Sequence, residues 1–161
     1  MILGFAVGIF TIFFAAALSL SFRQSSKLRL LISISTSGYA IPGSVISAGL
    51  LIGFDAVFGT SITIYGIFGL ILCLSFRFMT PAYNYSSSSL ANISKSSENA
   101  LSLVPSNPLK AFSSFYYPQM KSALFLGFMI VFIESVKEQA ATLLLRPVGF
   151  DTLSTKIYNF T

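Results

Sequence analysis

Residues 1–22 carry no charged side chain, and no other feature constrains the chain as strongly. About 20 mostly apolar residues cross a hydrocarbon core roughly 30 Å thick. Three more apolar stretches follow. Residues 30–54 and 56–76 are free of charge, with Asp55 between them. Residues 122–133 are apolar, meet Glu134, Lys137 and Glu138, and resume as 139–145. In lipid every backbone N–H and C=O must be paired internally, which leaves helices or a closed barrel. A barrel needs short strands of alternating polarity, and these runs do not alternate. The expected fold is all-α: a polytopic transmembrane bundle of about four spans, forming one domain over 1–161.

Charge content excludes the main alternative. Charged residues make up 9% of the chain and hydrophobic residues 54%, where soluble domains carry about 25% charge. A soluble enzyme is therefore not expected. With no His and one Cys, neither a zinc site nor an internal disulfide framework is available. No cofactor or metal is expected. The net charge of +5 is spread along the chain and reads as topology, with no nucleic-acid partner. Arg23, Lys27 and Arg29 put the first connection in the cytoplasm, and Asp55 suits the outside. Arg77, Lys95, Lys110 and Lys121 put 77–121 inside. Alternation then places the tail, with Arg146, Asp151 and Lys156, outside, together with the N-terminus. A signal peptide is disfavoured at 1–22, because the basic residues follow the apolar run.

Residues 80–118 change character, with serines at 86–89 and prolines at 105, 108 and 118. No run here is long enough to span, and a cytoplasmic loop is the plain reading. A sharper reading starts a short helix near Lys95–Ser97 with Glu98 in its first turn, where the helix dipole favours an acid. A second short piece over 109–117 shows Leu109, Phe112, Phe115 and Tyr116 at helical spacing. Pro118 then suits the first turn of the fourth span. In the second span Gly38, Pro42 and Gly43 read either as close packing or as a hinge, since Pro removes a backbone hydrogen bond. In the fourth span Glu134 and Lys137 stand i,i+3 and can pair. With Glu138 they lie towards its outer edge, where charge costs less than at mid-bilayer.

The stretch Ala141-Thr142-Leu143-Leu144-Leu145-Arg146-Pro147-Val148-Gly149-Phe150-Asp151-Thr152-Leu153-Ser154-Thr155-Lys156-Ile157-Tyr158 resembles the closing stretch of iron(III)-type ABC importer permeases. Lys137-Glu138 before Ala141-Thr142 matches that frame. Residues 37–43 resemble the Gly-Tyr-Ala-x-Pro-Gly element of the same family. Its cytoplasmic EAA loop, which docks on an ATPase, resembles 92–118 through Glu98, Ala100 and Pro118. Asn99 stands where Ala is usual and Val104 where Gly is usual, and Phe115-Tyr116-Tyr117 replaces Ile-x-Leu.

The resemblance implies a multi-pass inner (plasma) membrane subunit that imports ferric iron and is not itself an enzyme. Its implied partners are an ATP-binding subunit, an extracytoplasmic substrate-binding protein, membrane lipid, and a second permease half or a second copy. The chain contains no Gly-x4-Gly-Lys-Ser/Thr motif, so ATP hydrolysis would come from the partner. Glu98, Ala100, Val104 and Pro118 are the expected ATPase-coupling residues. Glu134, Lys137, Glu138, Arg146 and Asp151 are expected to line the path or its outer mouth, and Gly38, Pro42 and Gly43 to form a helix hinge. Such permeases continue into another span, so the chain reads as incomplete. The competing class is a truncated or accessory membrane protein without transport. An intramembrane protease is disfavoured, because no His is available as base.

Overall fold

The computed structural model describes residues 1–24, 29–59, 66–102, 107–147, 149–150 and 152–159. All regular structure among them is helical. In order the helices are α1 (Ile2–Gln24), α2 (Arg29–Thr36), α3 (Gly43–Phe58), α4 (Gly66–Arg77) and α5 (Met79–Ala91). They continue as α6 (Lys95–Ser102), α7 (Pro108–Ala111), α8 (Tyr117–Lys137), α9 (Ala140–Leu145) and α10 (Leu153–Asn159). Two helical stretches, Ile2–Arg23 and Leu109–Lys137, are long and apolar enough to cross a membrane. Two bent pairs raise the number to four if each pair is one span. Leu30–Ala40 meets Gly43–Val57 at 116°, and Gly66–Arg77 meets Met79–Ala91 at 51°.

The helices fall into two blocks. In the first, α1, α5 and α8 pack on one another. Val136 and Phe132 of α8 lie over Gly4, and Phe128 lies over Gly8, so α1 and α8 run antiparallel. A Cβ at Gly8 would sit 2.7 Å from the Phe128 ring. The four-residue spacing of Gly4 and Gly8 opens a notch for these rings, as small residues do between membrane helices. The Phe5 ring meets Phe128 edge-on, with centroids 5.2 Å apart. The outer faces present Phe5, Ile9, Phe13, Phe125 and Ile133, an apolar exterior suited to lipid. In the second block α9 packs on α3 and α4, with Leu145 beside Gly66 and Gly69 of α4. One apolar cluster joins the blocks through Leu3 and Val7 of α1 and Leu70 and Leu74 of α4.

Two sequence expectations change here, and a third takes a sharper form. The second apolar run, where Pro42 is expected to kink the helix, folds by 116° between Ala40 and Gly43. Pro42 precedes α3 with an extended ψ of 137°, because it cannot carry a helix through from its N-terminal side. The third run does not end at residue 76. Its helix turns at Phe78 and continues as α5, inside the region read as a loop. α5 buries Met79, Ala82, Ser86 and Leu90, a helical stripe that its serines conceal. Ser86 Oγ donates to Ala82 O at 2.9 Å, so the helix satisfies its own buried hydroxyl. The fourth run breaks at Glu138, whose ψ of 118° ends α8 before α9 begins.

Residues 95–102 are helical, with Glu98 in the first turn. Residues 112–116 form a π turn that leads directly into α8. Tyr117 N–H donates there to Phe112 O, five residues back. This wider turn precedes Pro118, which has no N–H to give and whose ring crowds an ordinary helical turn.

Candidate functional site

Three helix breaks converge on one point, and a pair of opposite charges lies between them. The Arg77 side chain, at the end of α4, has Nε 3.2 Å from Glu138 Oε2, at the end of α8. Arg77 Nη1 donates to Ile41 O at 2.9 Å, in the break between α2 and α3. The Glu138 carboxylate also lies against the first residue of α3: a Cβ on Gly43 would fall 2.6 Å from Oε1. Each charge thus complements the helix end it touches. Arg77 stands at the negative C-terminal end of α4 and Glu138 at the positive N-terminal end of α3. Their side chains are 22% and 11% exposed.

The surrounding backbone is stitched to the same point. Thr80 Oγ1 donates to Thr36 O at 2.5 Å. Gly38 lies so close to α4 that a Cβ would be 2.5 Å from Phe76 O. Ser154 Oγ donates to Glu138 O at 3.2 Å, and Gln139 Nε2 donates to Ser154 O at 3.2 Å. Thr142 Oγ1 donates to Glu138 O at 2.9 Å. Segments 36–43, 76–80 and 138–139 and the start of α10 therefore meet at one junction.

A second charge cluster lies at the far end of the first block. The length of α5 separates it from the junction by about 20 Å at 1.5 Å per residue. Arg23 Nε is 2.6 Å from Glu98 Oε1, and both side chains are about one-fifth exposed. Arg23 Nη1 also donates to Leu90 O, and Nη2 donates to Ile93 O at 2.6 Å. One guanidinium thus satisfies carbonyls at the end of α5 and holds α6 through Glu98. Tyr116 stands beside the same carboxylate. In both clusters the charges meet by proximity: neither Arg77 Nε nor Glu98 Oε1 has an aligned hydrogen bond.

The expected site residues divide accordingly. Gly38, Pro42, Gly43 and Glu138 lie at the junction. Glu134 pairs instead with Lys137 at 3.3 Å on an exposed face of α8. Arg146 caps the end of α9, its N–H donating to Thr142 O at 3.0 Å. Glu98 turns inward to Arg23 and does not present its carboxylate outward. The backbone of Ala100 belongs to α6 and Pro118 to the exposed first turn of α8. Val104 and Asp151 lie outside the described residues. Sequence reasoning missed Arg77 and Arg23, taking both as loop charges. The stripe Met79, Ala82, Ser86, Leu90 was the available signal that the helix runs past Arg77. Comparison with protein-family models and with curated protein sequences returns no match.

Proposed function

We propose that the chain is the membrane-spanning permease subunit of a binding-protein-dependent ABC importer, moving ferric iron with ATP hydrolysed by a separate subunit. The observation that carries this reading is the charged junction of helix breaks, set among helices long and apolar enough to cross a membrane. Broken helices at membrane depth occur where backbone is buried in protein or lines a cavity, and paired intramembrane charges mark transport paths. The arrangement along the bundle also supports the reading. The EAA-like segment around α6 lies at one end, and the permease-like tail around Ser154 lies at the other. In this scheme α6 docks on the ATPase by its outward residues Lys95, Ser96, Ser97 and Asn99. The Arg23–Glu98 pair passes the movement to α1 and α5, and the extracytoplasmic binding protein delivers substrate near α9 and α10.

The second reading is an accessory membrane protein without transport. It is favoured by the inward-turned Glu98, which leaves α6 no outward acid. A mild-detergent pull-down of the tagged chain from its native membranes separates the two. The permease reading expects an ATP-binding subunit in near-equal amount, and ATP-dependent uptake of radioactive ferric iron by the recovered complex. Recovery of the chain with no ATPase overturns it.

A further inference from the structure

The serines at 86–89 fall on different flanks of α5. Ser86 is buried, and its hydroxyl is satisfied within the helix. Ser87 turns to the seam with α1, where its Oγ donates to Asn84 O at 3.2 Å. Ser88 turns to the seam with α8. The two helices run antiparallel there: a Cβ on Gly127 would lie 3.3 Å from Tyr85 Cβ, while Leu90 and Ile93 share a cluster with Met120. A cleft of about 370 Å³ follows this seam, and Tyr85, Ser88, Asn92, Gln119, Ser122 and Leu126 are among its lining residues.

The lining is polar and carries no charge. Among the described residues, the hydroxyls of Tyr85, Ser88 and Ser122 and the Asn92 amide bond to no protein group. Gln119 gives one N–H to Phe115 O at 2.9 Å and keeps its own carbonyl. The cleft is also graded along the helix. Counted from Tyr117, the first residue of α8, Ser122 lies about 7 Å along and Leu126 about 13 Å along. Asn92, Gln119 and Ser122 thus mark the shallow end of a span, and Leu126 and Tyr85 lie nearer its middle. Leu126 is exposed, so the cleft opens on the apolar exterior of the bundle. Polar groups facing hydrocarbon without partners are costly, and an occupant that bonds them removes that cost.

We propose that the α5–α8 cleft binds a membrane lipid with an uncharged, hydroxyl-rich headgroup, of the hexosyl-diacylglycerol class. Sugar hydroxyls donate and accept, as do the Ser, Tyr, Asn and Gln groups around them. An acyl chain of the same molecule covers Leu126 and continues towards mid-bilayer. A phosphate would sit among groups that bring no positive charge, and a charge away from water needs its opposite. A free sugar has no part to cover Leu126. The site rests on the bundle lying in a membrane and not on transport.

The test is native mass spectrometry of the full chain, released from nanodiscs that hold phosphatidylcholine, phosphatidylglycerol and monogalactosyl-diacylglycerol with matched acyl chains. The galactolipid should stay bound about tenfold more than either phospholipid, a margin that one or two net hydrogen bonds supply. Ser88→Ala with Ser122→Ala should bring its retention down to the phospholipid level, while the chain stays folded, because neither hydroxyl bonds to the protein. Ser87→Ala, in the opposite seam, should retain it like the wild type. Equal retention of the three lipids by the wild-type chain, or preference for phosphatidylglycerol, overturns the proposal, and that comparison needs no variant to fold. A double variant that holds the galactolipid like the wild type, or an equal loss in Ser87→Ala, also overturns it. Displacement by free galactose would make the ligand a soluble sugar, and recovery of a lipid-free dimer would give the cleft to a second copy; either result sinks the lipid assignment. None of these readouts involves an ATPase or uptake, so failure of the transport reading is distinguishable.

Discussion

The two blocks hold together by different means. α1, α5 and α8 meet along their lengths, with rings seated over glycines and hydroxyls bonded to their own helix, as Thr11 to Val7 O at 2.7 Å and Ser135 to Val131 O at 2.6 Å. Such packing is spread over many weak contacts, so no single one decides it. The second block is made of shorter helices, attached through the apolar face of α4 on α1 and through a few close approaches and one ion pair at the junction. A region held at many points resists local change. A region fastened by few polar contacts is sensitive at those contacts.

Substitutions at matched positions sharpen or break this contrast. The largest effect is expected from Gly38→Ala, because the added carbon meets a backbone carbonyl that cannot rotate away. A cost of about 3 kcal/mol is expected, read as a lower unfolding midpoint in detergent; an unchanged midpoint would show that 36–41 is not clamped to α4. Arg23→Ala removes the ion pair and two carbonyl contacts, and should cost about 2 kcal/mol. Limited proteolysis should then cut within 95–102 sooner, while α1, α5 and α8 stay protected. Uniform loss of protection would mean that Arg23 supports the whole bundle.

Gly8→Ala in the first block places its added carbon nearest the Phe128 ring. About 1 kcal/mol is expected, since a ring can yield where a carbonyl cannot. The pair Gly8→Ala with Phe128→Leu should lose less than the two singles combined, and simple additivity would deny the contact. At Gly49, in α3, an added Cβ meets nothing within 4 Å. Gly49→Ala should therefore stabilise by about 0.5–1 kcal/mol through helix propensity. A loss there would reveal a neighbour on that face.

Glu98→Lys tests the far cluster. It sets a second positive charge beside Arg23, so α6 should detach while the chain still inserts, and under the proposed permease function ATP-driven uptake should fall. Unchanged uptake by an assembled complex would rule out force transfer through this pair.

Much of this was legible in the amino-acid order. The uncharged run at 1–22 appears as α1, the short helix bearing Glu98 appears at 95–102, and the Glu134–Lys137 pair forms as its spacing allows. Each depends on local or near-neighbour physics: hydrophobic length, a helix first turn, an i,i+3 contact. What misled was composition. The serines of α5 read as a loop because their polarity hides the buried stripe, and only neighbours on both sides make that stripe a core.

The sequence by itself determined that this chain is helical and apolar enough to cross a membrane, because long uncharged runs leave the backbone no other way to pair its polar groups. The tertiary structure alone decided which charges meet. Arg77 and Glu138 are 61 positions apart, and Arg23 and Glu98 are 75 apart. No local rule links residues so distant. They are brought together by where the helices break and which faces pack, since a charge away from water is tolerated only beside its opposite.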